Sequence, residues 1–154
     1  MKQILFSLFA ISMINIACSS TKKSETGSVI QGLQGKVTEV TGNQMPMIGE
    51  PKPVPKGIKT TVLVYQPTNT NQVTQVGSSP LYTTISTNWV ASVETDSTGA
   101  FTVALPVGSY SLFIKQGDQF YANLFDSNNN IALFTVEAGK LTVVKLQINN
   151  RATY

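Results

Sequence analysis

The sequence predicts an all-β protein, a single antiparallel β-sandwich of about seven or eight strands behind an N-terminal export segment. Three observations predict it. Apolar and polar residues alternate in short runs rich in β-branched and aromatic side chains. No stretch sustains the 3.6-residue period of an amphipathic helix. Gly, Asn, Asp and Pro punctuate the runs at short intervals. The chain has 154 residues, which suits one domain with a tail, and at 42% hydrophobic and 12% charged it is apolar enough to build a core.

Strands are predicted over residues 34–40, 59–66, 89–95, 100–105, 109–116, 119–125, 131–137 and 140–148. Phe101, Val103 and Leu105 share one face, as do Tyr110, Leu112 and Ile114, and again Val144, Leu146 and Ile148. Thr102, Ser111, Lys145 and Gln147 then face water. Turns fall at Asp96-Ser97-Thr98-Gly99, Pro106-Val107-Gly108, Gly117-Asp118, residues 126–130 and Ala138-Gly139, where Gly and Asn tolerate positive φ and Pro fixes it. Two stretches break the pattern. Residues 41–58 contain Pro46, Pro51, Pro53 and Pro55, which cannot donate to a ladder, so an extended loop is predicted that includes the turn-like Gly42-Asn43-Gln44-Met45-Pro46. Residues 67–88 are rich in Thr, Asn, Gln and Ser and read as a long loop with one short strand near 81–85. Long loops on a rigid scaffold are where recognition concentrates.

The chain divides into residues 1–17, 18–28 and 29–154. Lys2 precedes an apolar stretch over residues 4–16, too short to span a bilayer and the right length for a secretory signal. It ends in Asn15-Ile16-Ala17-Cys18, which resembles the lipobox of bacterial lipoproteins, with Asn15 standing where that pattern carries an aliphatic residue. The resemblance implies a lipoprotein signal peptide over 1–17 and lipidation of Cys18 with palmitate-type chains. Each buried CH₂ adds roughly 0.8 kcal/mol, so two or three chains anchor a protein to a membrane stably. The expected location is the bacterial cell envelope, with the outer membrane as the anchoring bilayer. Residues 18–28 are polar and read as a flexible tether. Lys22 and Lys23 lie beside the anchor, each worth about 1 kcal/mol toward anionic headgroups.

Composition excludes several function classes. The chain has no His and one Cys. That removes imidazole bases, His-containing triads and zinc sites, an internal disulfide and thiolate clusters. Lys36, Lys52, Lys56, Lys59, Lys115, Lys140, Lys145 and Arg151 are scattered, with no stripe that would track nucleic acid. Asp126, Asn128, Asn130 and Glu137 match a calcium-loop spacing, but Ile131 occupies the Gly position that makes the sharp turn, so an Asn-rich hairpin turn is the reading and no metal is expected. Glu94 and Asp96 sit two apart with no apolar cleft to raise a pKa, and read as solvated strand-end carboxylates. No cofactor is expected.

Gly35-Lys36-Val37-Thr38, the run from Thr95 to Phe101, and Leu105-Pro106-Val107-Gly108-Ser109-Tyr110-Ser111-Leu112 together resemble the carboxypeptidase regulatory-like domain, a transthyretin-like (prealbumin-like) seven-stranded sandwich. The resemblance covers residues 35–149, with both long loops as insertions. It implies that Asp96 and Gly99 shape a hairpin turn, that Phe101 enters the core and that Tyr110 packs inward with its hydroxyl near the rim. It does not bring an activity. A carboxypeptidase needs a domain with His and Glu zinc ligands. Transthyretin-like hydroxyisourate hydrolases use His and a terminal Tyr-Arg-Gly-Ser, where this sequence has Arg151-Ala152-Thr153-Tyr154. In pilin-type domains a Glu promotes an isopeptide bond at the position held here by Ile114.

The aromatic residues Tyr65, Tyr82, Trp89, Phe120 and Tyr121 are either core or, where exposed, surfaces for sugars or proteins. Tyr82, Trp89 and Tyr121 are the candidate partner contacts, and one of the adjacent Phe120 and Tyr121 faces outward if their strand is regular. The expected function is a non-catalytic, lipid-anchored binding or accessory module of the envelope. It would recognise a protein or glycan partner through residues 41–58 and 67–88. The alternative is a structural subunit of an envelope assembly that uses an edge strand.

Overall fold

The computed structural model describes residues 30–46, 48–49 and 53–154. The signal segment expected over 1–17, the tether expected over 18–28 and Cys18 lie outside the described residues. Among the described residues eleven strands build two packed sheets: β1 (Gly32–Asn43), β2 (Lys56–Gly57), β3 (Thr61–Tyr65), β4 (Val73–Gln75), β5 (Leu81–Ile85), β6 (Trp89–Glu94), β7 (Ala100–Ala104), β8 (Gly108–Gln116), β9 (Gln119–Tyr121), β10 (Leu133–Val136) and β11 (Leu141–Thr153). The protein is an all-β sandwich, as the alternation predicts. The strand count exceeds the prediction because β2 and β4 form in the stretches read as loops, while β5 stands where the short strand near 81–85 is expected.

β1 is the spine of the smaller sheet. It pairs in parallel with β11 from Gly32↔Leu141 onward, and its other edge takes β7 antiparallel and then β2. The parallel pair departs from the predicted all-antiparallel order. Nothing in a local pattern specifies it, because it joins strands from opposite ends of the domain. A register shift between Glu39 and Thr41 places Thr41 opposite Arg151 and carries β11 past residue 148, where the apolar alternation stops.

β8 is the spine of the larger, seven-stranded sheet. One edge pairs with β3, and the other pairs with β10 and then β9; β6 and the β4–β5 hairpin are the outer strands. Tyr110, Leu112 and Ile114 face the sandwich interior, where they meet Leu33, Val37, Val62, Val64, Phe101, Val144 and Ile148. Ser111 and Phe113 on the opposite face are also fully buried, against the prediction that Ser111 meets water. The reason is a second apolar layer on the outer face: Tyr82, Phe113, Ala122, Ile131 and Ala132, flanked by Leu63, Tyr65 and Phe120. Phe113 is its centre, meeting Tyr65 edge-on at 5.6 Å and Tyr82 at 5.9 Å.

Residues 66–88 and 122–132 supply this cover. Asn69 caps the 3₁₀ turn Thr70–Gln72, with Gln72 Oε1 accepting from Asn69 N, and its Nδ2 donates to Asn128 O at 2.7 Å. Thr68 N donates to Ser111 Oγ at 2.9 Å, and Thr68 Oγ1 bonds Gln66 O and Thr87 Oγ1. The buried polar groups of the outer layer are thereby paired, as burial requires. Residues 67–88 therefore serve as scaffold for the outer layer, with Thr68 and Tyr82 buried and many of the others exposed.

Turn chemistry follows the sequence closely. Asp96 Oδ1 accepts from Thr98 N, Thr98 Oγ1 and Ala100 N, and Gly99 takes φ +83°. A Cβ on Gly99 would lie 2.1 Å from Val37 O, and one on Gly57 would lie 1.7 Å from Thr98 O. This turn thus nests against β1 and β2 only because both positions lack a side chain. Tyr110 is buried with its hydroxyl donating to Pro106 O at 3.0 Å, the inward-packed, rim-bonded placement implied for it.

Two substitutions test this account by urea denaturation. Phe113→Ala, on the outer face, is expected to cost about 3–5 kcal/mol, as for a fully buried core aromatic. Gly99→Ala is expected to lower stability by about 2 kcal/mol or more, because the new methyl meets a backbone carbonyl in a left-handed turn. Wild-type stability in Phe113→Ala would show that the outer layer is not a core.

Candidate functional site

The aromatic candidates separate in the fold. Tyr82 and Tyr121 are each 1% exposed, so neither ring can meet a partner; this corrects their assignment as contacts. Tyr82 belongs to the outer layer and Tyr121 to the interior, which is how adjacent Phe120 and Tyr121 both find cover. The phenols are not idle. Tyr121 Oη accepts from Asn149 N at 3.1 Å and shares its proton between Asn149 Oδ1 and Gln147 O. Burial pushes both phenols above the ordinary tyrosine range, so they stay neutral. Trp89 is 59% exposed on β6, an edge strand, with half-exposed Val90 beside it as the extra residue at a register shift. It does not join the other two in a patch.

The acidic residues singled out in the sequence do not gather either. Asp96 serves its own turn, and Glu94 lies 4.0 Å from Lys59 on the surface. Asp126 Oδ1 accepts from Asn128 N and Asn130 N, and Oδ2 from Asn130 Nδ2, closing an Asx-type hairpin turn. Ile131 is fully buried in the outer layer and Glu137 is ion-paired with Lys140, so the calcium-loop spacing does not converge on a point. Hydrogen bonds from neighbouring amides and side chains hold the carboxyls of Asp96 and Asp126 below the usual range, the opposite of what a general acid needs. Among the described residues no three potential ligands group as a metal site.

A charged cleft of about 460 Å³ opens at one end of the sandwich, lined by Glu39, Lys59, Thr60, Lys115, Ile148 and Arg151. Its origin lies in the inward row of β1. Leu33, Gly35 and Val37 point to the core, and the next residue on that row is Glu39. A carboxylate there is held because the register shift brings Arg151 over it: Arg151 Nη2 lies 3.0 Å from Glu39 Oε1. Glu39 is mostly covered while Arg151 is 68% exposed, and the pair meets without an aligned hydrogen bond. Lys115 lies one residue before the end of β8 and Lys59 precedes β3, the two pinned by Thr60 Oγ1 donating to Lys115 O at 3.1 Å. A second cleft of about 400 Å³ shares Glu39 and Ile58 and runs along Thr41, Gln44, Val54 and Lys56.

The sequence reading did not single out Glu39 or Arg151. The available signal was a lone acid on an otherwise apolar alternating row. The clefts lie at the end remote from where the chain enters at Gly32: seven residues of β1 span roughly 23 Å. Searches of family models, of curated proteins and of solved structures found no match.

The lowered pKa of Asp96 fixes a sign for pH dependence. Its folded value lies below the unfolded one near 4, so its stabilisation is complete above about pH 4 and is lost as pH falls through the folded value. Asp96→Asn keeps an acceptor oxygen but no charge. The melting temperature of wild type is expected to exceed that of the variant at pH 7 and to converge on it as pH falls through the folded value. A gap that persists unchanged at low pH would refute the assignment.

Proposed function

We propose that this chain is a non-catalytic, lipid-anchored binding module of the bacterial cell envelope, held through Cys18 and presenting its charged end to a protein or glycan partner. The observation that carries the reading is placement. The Glu39–Arg151 cleft and the described residues of the 41–58 stretch lie at the end of β1 opposite the point where the chain emerges from its N-terminal segment. With the anchor at Cys18, that end is the one farthest along β1 from the tether. Arg151, Lys115 and Lys59 give the cleft a basic rim suited to an anionic group on the partner, and attraction of that kind weakens with salt. The carboxyls of Asp96 and Asp126 serve turns and lie low in pKa, which favours a platform over an acid–base site.

A relation to carboxypeptidase regulatory-like domains is part of the proposal. It is supported by the motif residues: Asp96 and Gly99 shape the turn, and Phe101 and Tyr110 lie in the core.

The experiment uses the full chain produced in a bacterium with labelled fatty acid. Label is expected on wild type and not on Cys18→Ser, and a mature N-terminus other than Cys18 would defeat the anchor. A glycan array and cross-linking from the exposed Val54 then probe the charged end. Binding at low salt is expected to fall at least tenfold in Arg151→Glu/Lys115→Glu; equal binding by this variant would move recognition elsewhere.

A further inference from the structure

We infer that the free edge of β11 is a β-augmentation site for an extended segment of a partner protein that carries a carboxylate side chain. The site is lateral, distinct from the charged end, and depends on neither the anchor nor that cleft.

In a parallel ladder, alternate residues of a strand turn both backbone groups toward one neighbour and the remainder turn away from it. Gly32 N donates to Lys140 O, and Gly32 is in register with Leu141. That phase directs Thr142, Val144, Leu146 and Ile148 toward β1 and leaves Val143, Lys145 and Gln147 pointing outward. The bonds from Tyr121 Oη to Gln147 O and from Asn149 N to Tyr121 Oη confirm the phase and close the edge at that end. The outward amides and carbonyls of Val143 and Lys145 meet no partner among the described residues, and β11 is the last strand of its sheet. An unpaired strand edge is a template for another strand.

Side chains beside this edge define what it takes. Val143 is 66% exposed, and further along the edge half-exposed Leu124 lines a cavity of about 340 Å³ with Lys36, Lys145 and Gln147. Lys36 and Lys145 are cross-strand neighbours on the outer face. Lys145 has no ion pair among the described residues, and the carboxylate nearest in effect to Lys36, that of Asp96, is engaged in its own turn. A third strand would set its own outward residue beside Lys145, where an acid is attracted and a base repelled. Pairing with a second copy would instead bring Lys145 against its counterpart, the usual protection of an edge from self-association.

The test is amide hydrogen exchange by NMR on the full chain in detergent micelles. The probes are a short capped peptide of alternating Thr and Val with Glu replacing the central Val, and the same peptide with Lys there. The Glu peptide is expected to slow exchange at Val143 and Lys145 and to bind about five-fold more tightly than the Lys peptide. Lys145→Glu should invert that order. Val143→Pro removes an outward donor without touching the β1 ladder and should abolish binding. Three results would overturn the inference: no protection by either peptide at millimolar concentration, equal binding of both, or free-chain amides at Val143 and Lys145 exchanging as slowly as those of Val144 and Leu146. The last would mean that the chain's own N-terminal segment or a second copy already covers the edge.

Discussion

The burial of β8 on both faces is the constraint from which the rest of the architecture follows. A sandwich strand ordinarily alternates core and solvent, but Phe113 is fully covered on the side that should be wet. An aromatic there demands a second apolar layer, and the chain supplies it from two polar-looking stretches, 66–88 and 122–132. Those stretches must then pair their own polar groups, which is what Thr68, Ser111, Asn69 and Gln72 do. Once both faces of the larger sheet are occupied in this way, the surfaces left with unmet chemistry are the charged end and the lateral edges.

The same constraint explains which functional residues the sequence revealed. The turn at Asp96 and the inward Phe101 and Tyr110 were legible because each depends on neighbours within a few residues. Tyr82 and Tyr121 read as core or contact, and burial decides for core: Tyr121 is covered in the interior, while Tyr82 is covered by segments whose composition reads as loop. Glu39 and Arg151 were harder still. Their pairing depends on a register shift in a parallel ladder between strands more than a hundred residues apart, and nothing local encodes that register. Trp89 emerges exposed but isolated, which gives it no companion surface on which to build a site.

Polar residues in this protein chiefly hold geometry. Asp96 and Asp126 organise turns, Tyr121 fastens the larger sheet to β11, and Thr95 Oγ1 accepts from Thr60 N while donating to Ile58 O. Such bonds lock the ends of strands.

The parallel pairing of β1 with β11 has a mechanical consequence. The two strands run side by side in the same sense, so the entry point of β1 and the far end of β11 lie at opposite poles of the ladder. Tension applied between the entry of β1 and the far end of β11 would pull along the strands and load their hydrogen bonds in shear, all at once, instead of unzipping them in turn. The ladder is thereby arranged to resist stretching along its own axis.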